Sequence, residues 1–148
     1  MVDIRPATSE DVAEVERVVA AAYEPWIPVI GGRPLPMEAD YAGLVAAGKV
    51  LVVEGQGALT AVLVLETGSD HLLLENVAVD PAAQGGRLGS QLLAHTEGEA
   101  RARGLPEVRL YTNVLMASNI AWYERRGFVR TSEDGTPTRR RVWLTKRL

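Results

Sequence analysis

The chain has 148 residues, of which 47% are hydrophobic and 24% are charged, and its formal net charge at pH 7 is −3. This length and composition fit a single globular domain over residues 1-148 and exclude a disordered chain. An acidic balance with a pI near 5.4 argues against a nucleic-acid partner, which would require a basic surface. There is no cysteine, which excludes disulfides and thiolate nucleophiles, and two histidines are too few for a standard zinc site, so no metal is predicted.

The start of the chain contains no apolar signal segment, and no stretch approaches 18 apolar residues. We therefore expect no membrane contact and a cytoplasmic location. Residues 2–6 are predicted to form a first strand, and apolar residues at helical spacing then predict an amphipathic helix that ends near Tyr23. Residues 23–36 hold four prolines and two glycines and are predicted to be irregular. A second helix is predicted over residues 37–47, with Gly48 as its C-cap.

Three apolar stretches, residues 50–54, 59–65 and 71–79, are joined by short turns and predict an antiparallel meander. Their continuous apolar character indicates a sheet that is covered on both faces. After a further helix, residues 107–112 are predicted to form a strand parallel to the third of these. A short helix over residues 118–126 and a hairpin of residues 129–131 and 141–145 complete the chain.

The most informative stretch is residues 75–89, where a strand ends at Pro81 and a glycine-bearing turn opens into a helix over residues 87–103. The unpaired N–H groups of such a turn and the positive end of the helix point to one place, which suits a phosphate or pyrophosphate. On its own, the sequence Gln84-Gly85-Gly86-Arg87-Leu88-Gly89 is equally compatible with a tight turn that binds nothing.

The order of elements and two local motifs resemble the GNAT superfamily of N-acetyltransferases. The first motif is the family's Gln/Arg-x-x-Gly-x-Gly/Ala loop, which residues 84–89 match at Gln84 and Gly89, with Arg87 at the usual glycine position. The second is the late helix that ends Tyr-x-x-x-Gly-Phe, seen here as Tyr123 to Phe128. The resemblance implies an α/β (α+β) fold with a mixed, mostly antiparallel central sheet of about seven strands, flanked by about four helices.

The resemblance also implies that acetyl-CoA is the co-substrate. In the family, the glycine loop cradles the pyrophosphate, which assigns residues 84–89 to coenzyme binding. The preceding strand splays from its neighbour, and its backbone groups pair with pantetheine, which assigns Val77, Ala78 and Val79. Asn119 and Tyr123 lie one helical turn apart, so that Asn119 would hold the coenzyme's amide groups; alternatively, Asn119 only begins the helix.

Two residues are expected to move protons. Tyr123 would protonate the departing thiolate, although a tyrosine packed beside Trp122 with no catalytic role is the alternative. Glu75 has the same strand parity as Val77 and Val79, which predicts that the three side chains share a face. Its carboxylate would take a proton from the attacking amine, or would only attract the amine cation.

The irregular segment corresponds to the family's variable acceptor wall, and its aromatic residues Tyr23, Trp26 and Tyr41 suit an amine cation as well as ordinary loop anchoring. We therefore expect an N-acetyltransferase that acts on a small-molecule or peptide amine by direct attack in a ternary complex. The alternative is a catalytically silent coenzyme-binding sensor or partner module of the same fold. A homodimer through the exposed edge of the C-terminal strands is also possible.

Overall fold

The computed structural model describes residues 2–148, and it contains one seven-stranded sheet in the order β1-β2-β3-β4-β5-β7-β6. The strands are β1 (Ile4–Pro6), β2 (Val50–Gly55), β3 (Ala58–Thr67), β4 (Leu72–Val79), β5 (Glu107–Asn113), β6 (Val129–Thr136) and β7 (Arg139–Arg147). The helices are α1 (Val12–Tyr23), α2 (Ile27–Ile30, a single turn), α3 (Tyr41–Ala46), α4 (Leu88–Ala102) and α5 (Ala117–Glu124). Within residues 2–148, no helix is long and apolar enough to cross a membrane.

All neighbouring strands are antiparallel except β4 and β5, which are parallel and are connected through α4. The meander, the parallel crossover and the mixed, mostly antiparallel sheet predicted from the sequence are therefore confirmed. The predicted C-terminal hairpin is also present, but its strands are longer than expected because the turn lies at residues 137–138.

Both faces of the sheet are covered by apolar residues. On one face, Val15, Val18 and Val19 of α1 are at most 1% exposed and pack with α3 against β2 and β3. On the other face, Leu92 and Leu93 of α4 pack with α5 against the central strands. This two-sided burial explains why β2, β3 and β4 are mostly apolar and do not alternate strictly between apolar and polar residues.

The irregular segment is more ordered than its prolines and glycines predict. A 3-10 turn at Glu24–Trp26 leads into α2, and Gly31 ends that helix with a φ of +75°. A second 3-10 turn, Leu35–Glu38, precedes α3. The predicted second helix therefore begins at Tyr41, later than expected, where the Asp40 side chain accepts a hydrogen bond from the Gly43 N–H as its cap.

A β-bulge interrupts β4 at Glu75. Leu65 of β3 pairs with Leu74, whereas the preceding residue Val64 pairs with Asn76, so Glu75 is an extra residue on its strand. The prediction that Glu75 shares a face with Val77 and Val79 is therefore wrong. Leu74, Val77 and Val79 contact the α4 side of the sheet, because the bulge shifts the alternation by one residue.

Candidate active site

A cleft opens where β4 and β5 separate. Their parallel pairing covers only Leu72–Leu74 and Val108–Leu110, although both strands continue beyond it. Two adjoining cavities of about 240 and 490 Å³ lie in this cleft. We call them the bulge cavity, which includes Glu75, and the loop cavity, which includes the glycine turn. The residues that line both are Tyr23, Leu74, Val77, Met116, Asn119 and Tyr123.

The free edge of β4 turns backbone groups into the cleft. The Asp80 N–H donates a 2.8 Å hydrogen bond to the Thr60 carbonyl of β3. Because every second residue of an antiparallel strand bonds to the same neighbour, the backbone groups of Ala78 also point to β3. Val77 and Val79 face away from β3 and line the loop cavity. Of the three strand residues predicted to pair with pantetheine, only these two turn backbone groups to the cleft. Both carbonyls already accept a hydrogen bond, that of Val77 from the Tyr23 hydroxyl at 3.2 Å and that of Val79 from the Gln84 side-chain amide at 3.0 Å.

The glycine turn places its unusual backbone conformation at Gly85, whose φ is +91°. Arg87 stands at the N-cap of α4 with a φ of −100°, a conformation that any residue adopts without strain. An arginine at the family's glycine position is therefore compatible with the turn. At Gly86 an added Cβ would meet no atom within 4 Å, so the backbone there is open to a ligand, whereas at Gly89 it would lie 3.4 Å from the Trp122 ring.

Positive charge reaches the loop cavity from the turn that follows α5. Arg125 and Arg126 line this cavity together with Gln84, Leu88 and Ser90, whereas Arg87 does not. The Arg126 guanidinium lies 3.7 Å from the Trp122 ring centroid and donates a 3.0 Å hydrogen bond to the Trp122 carbonyl. The sequence analysis missed these two arginines, although they lie within the Tyr-x-x-x-Gly-Phe motif.

Tyr123 stands at the junction of the two cavities. Its ring packs edge-on against Trp122 and Phe128, with centroid distances of 5.1 and 5.6 Å. Among residues 2–148, nothing accepts or donates a hydrogen bond at its hydroxyl, yet that oxygen is not sealed from the cleft. Burial raises the pKa of the phenol above its ordinary value, so it keeps its proton at neutral pH. Asn119, one turn earlier, also lines both cavities, and its side chain does not cap α5.

Glu75 and Asn76 line the bulge cavity from the irregular part of β4. Burial raises the pKa of the Glu75 carboxyl, the nearby charge of Glu66 raises it further, and Lys49 opposes them. A carboxylate with a raised pKa is a stronger base than an exposed one, which suits proton abstraction. Asn76 is buried and bonds to two tyrosines, with its Oδ1 accepting from Tyr23 and its Nδ2 donating to Tyr41.

The three aromatic residues predicted for the acceptor wall have different surroundings. Tyr23 lines both cavities, whereas Trp26 lines the loop cavity. Tyr41 lines neither: it is 3% exposed, and its hydroxyl donates to the Pro36 carbonyl. Tyr41 therefore supports the wall from behind and is not placed to touch a ligand. The wall itself consists of residues 30–36, which line the bulge cavity.

A family model for the acetyltransferase (GNAT) domain matches residues 46–130 of this chain, a stretch that includes the glycine turn, β4 and Tyr123. The chain belongs to the GNAT family. The GNAT fold is also that of a PaiA N-acetyltransferase from Thermoplasma acidophilum, solved with coenzyme A. The two structures align with a TM-score of 0.80 at 17% sequence identity. The alignment covers 100% of this chain and 99% of the PaiA chain.

Two further proteins are similar to this chain over part of their length. An IAA acetyltransferase from Azospirillum brasilense is 38% identical over 89 residues, which is 60% of this chain and 55% of that protein. An N-acetylglutamate synthase from Neisseria gonorrhoeae, solved with coenzyme A and N-acetyl-glutamate, is 26% identical with a TM-score of 0.76 and covers 100% of this chain and 35% of that one. The chain thus spans about half or less of these two relatives.

Proposed function

We propose that this protein transfers the acetyl group of acetyl-CoA to a primary amine by direct attack in a ternary complex. The observation that carries the proposal is the position of Tyr123, which lines both cavities and whose hydroxyl forms no hydrogen bond with residues 2–148. The loop cavity is assigned to the coenzyme and the bulge cavity to the amine. The acetyl group would cross the junction between them.

The residues of the loop cavity fit a coenzyme with an extended arm and a diphosphate. The backbone N–H groups of Val77 and Val79 would donate to the amide carbonyls of pantetheine, as a strand does to an added strand. The carbonyls of the same two residues would accept from pantetheine N–H groups beside, or in place of, Tyr23 and Gln84. The N-terminus of α4 and the open backbone at Gly86 would receive the diphosphate, and Arg125 and Arg126 would add positive charge. The neighbour solved with coenzyme A and N-acetyl-glutamate supports this assignment, as does family membership.

The bulge cavity supplies a route for the first proton. An ammonium group must lose a proton before its nitrogen attacks the thioester carbonyl, and Glu75 would accept that proton directly or through a water. The new C–N bond forms as the C–S bond breaks. The Tyr123 phenol would give its proton to the sulfur as negative charge develops there, and the second proton that the nitrogen loses as the amide forms would pass through solvent to restore the phenol.

Direct transfer is favoured over an acetyl-enzyme because the sequence contains no cysteine, the residue that most often forms such an intermediate. Glu75 and Tyr123 line the same cavity, which is the arrangement that a single displacement needs. The silent coenzyme-binding module is the alternative, and the arginine at the family's glycine position is the sequence feature in its favour. The unstrained backbone at Arg87 shows that this residue is compatible with the turn, which supports the transferase proposal.

The proposal is tested by calorimetry with acetyl-CoA, followed by a thiol-release assay with the purified chain over a panel of primary amines. We expect saturable binding of acetyl-CoA and release of free coenzyme A that depends on the amine. Binding without release on any amine would favour the silent module, and no binding of acetyl-CoA would overturn both functions.

A further inference from the structure

The bulge cavity is lined by more positive than negative charge. Its charged lining residues are Arg33, Arg139, Arg141 and Glu75. A site that received only an amine cation would be expected to have mainly carboxylates among its charged groups, because like charges brought together in a small cavity repel. Three guanidinium groups beside one carboxylate instead indicate a ligand that carries both signs of charge.

The carboxylate partners of these arginines lie outside the cavity lining. Arg139 pairs with Glu38 at 3.1 Å, and Arg141 pairs with Asp134 at 2.8 Å, but neither acid lines the cavity. The Arg141 guanidinium also lies 4.7 Å from the Tyr111 ring centroid, which is a cation–π contact. Ion pairs with acids outside the lining therefore hold these two arginines in place, and part of each arginine still lines the cavity.

Arg33 differs from the other two because it forms no ion pair with a described residue. Its Nη2 donates a 3.3 Å hydrogen bond to the Met37 carbonyl, which leaves most of its N–H groups available. Both Arg139 and Arg33 lower the pKa of the Glu38 carboxyl, so one acid is close to two guanidinium groups. The Arg33, Glu38 and Arg139 group thus keeps a net positive charge beside the cavity.

We propose that the acceptor is a small amine that also carries a carboxylate, as an amino acid does. This inference rests on the proposed function and specifies its substrate class. The ammonium group would lie at Glu75, and the carboxylate would bind the guanidinium groups of Arg33 and Arg139, which match its two oxygens. A cavity of about 240 Å³ suits a ligand of this size, because pockets for drug-sized molecules run from about 300 Å³ upward.

The test compares matched acceptors in the acetyl-CoA-dependent thiol-release assay. Each of a set of amino acids is assayed beside its α-amide and its decarboxylated amine. We expect kcat/KM to be about 10- to 100-fold higher for the acid than for the amide, the range of a charge-assisted hydrogen bond. In Arg33→Gln the acid-to-amide ratio should fall by a similar factor. In Arg130→Gln, whose arginine pairs with Glu124 and lines neither cavity, the ratio should keep its wild-type value.

A binding measurement separates this inference from the proposed function. Calorimetry with coenzyme A present is used to compare N-acetyl amino acids with their N-acetyl amides, in wild type and in Arg33→Gln. Transfer to amides and plain amines as efficient as transfer to acids would overturn the carboxylate assignment and leave the transferase proposal intact. Absence of transfer to every acceptor would overturn the transferase proposal. In that case, tighter binding of the N-acetyl amino acids than of their amides, lost in Arg33→Gln, would still support a carboxylate site at Arg33. Equal binding of the acids and the amides would overturn that carboxylate site.

Discussion

The Tyr23 hydroxyl donates a 2.6 Å hydrogen bond to the Oδ1 atom of Asn76, which joins the end of α1 to the bulge of β4. The Nδ2 atom of Asn76 in turn donates a 2.9 Å hydrogen bond to the Tyr41 hydroxyl, and that hydroxyl donates one to the Pro36 carbonyl of the acceptor wall. A single buried amide therefore connects a helix, a bulged strand and the wall loop. The position of Glu75, the neighbour of Asn76, depends on this network.

The network predicts that Tyr23→Phe and Tyr41→Phe are not additive in stability. Each change leaves one end of the buried Asn76 amide without its partner, and we expect each to lower the free energy of unfolding by about 1–3 kcal/mol. In the double variant Asn76 has lost both partners and is free to reorient, so the combined loss should be at least about 0.5 kcal/mol smaller than the sum. Urea unfolding of the four proteins measures this coupling. Losses that add within about 0.3 kcal/mol would show that the two bonds are independent.

Tyr123→Phe should affect turnover far more than stability. The hydroxyl makes no hydrogen bond to residues 2–148, so its loss should change the free energy of unfolding by less than about 0.5 kcal/mol. If it is the general acid, kcat should fall by about 10²- to 10⁴-fold while the Kd for acetyl-CoA stays near the wild-type value. Tyr41→Phe is the matched control and should show the reverse, a loss of stability with a smaller loss of kcat. Wild-type turnover in Tyr123→Phe would refute the acid role.

The pH dependence of kcat/KM should report the Glu75 carboxyl. Because burial and Glu66 raise the pKa of Glu75, the carboxylate is protonated below that raised pKa, and activity should fall as the pH is lowered through it. We call this fall in kcat/KM at low pH the acidic limb of the profile. Glu66→Gln removes the like charge and should move the acidic limb to lower pH. Lys49→Met removes a charge that opposes the shift and should move the limb to higher pH. Both profiles are measured with one amine, so its own ionisation is common to them.

Glu75→Gln is the control for these profiles, because a residue that cannot ionise should abolish the limb. Limbs that stay at the wild-type pH in both Glu66→Gln and Lys49→Met would assign the titration to another group.

The sequence predicted what depends on local chemistry. Pro81 and Gly85 mark the end of a strand and the turn that follows, and Tyr123 and Phe128 stand at family spacing, so these motifs predicted many of the residues that line the loop cavity. The orientation of Glu75 was predicted wrongly, because a bulge is set by the register of the partner strand and not by the residue itself. Arg33 and Arg139 are brought together only by the fold, since more than 100 residues separate them and neither belongs to a motif.

Coenzyme affinity should depend on Arg125 and Arg126 more than on Arg87. The first two line the loop cavity, whereas Arg87 lies at the helix N-cap outside it. We expect Arg125→Gln and Arg126→Gln to weaken acetyl-CoA binding by about 10-fold each, as expected for a charge-assisted hydrogen bond to phosphate. Arg87→Gln, which removes the same charge from the same region, should change the Kd by less than 3-fold. Calorimetry at two salt concentrations measures both effects, and a larger loss in Arg87→Gln would show that the Arg87 side chain, and not Arg125 and Arg126, supplies the charge that binds the diphosphate.

Gly85 and Gly86 should respond in opposite ways to alanine. Gly85 has a φ of +91°, and an alanine there is strained by about 1–3 kcal/mol, so Gly85→Ala should lower the free energy of unfolding by that amount. At Gly86 the added methyl group meets no atom within 4 Å and the φ is ordinary, so Gly86→Ala should unfold at the wild-type urea concentration or slightly above it. That same methyl group would occupy space next to the proposed diphosphate, and acetyl-CoA affinity should fall in Gly86→Ala although the fold is intact. If Gly86→Ala bound acetyl-CoA with the wild-type Kd, the phosphates could not approach the backbone at this residue.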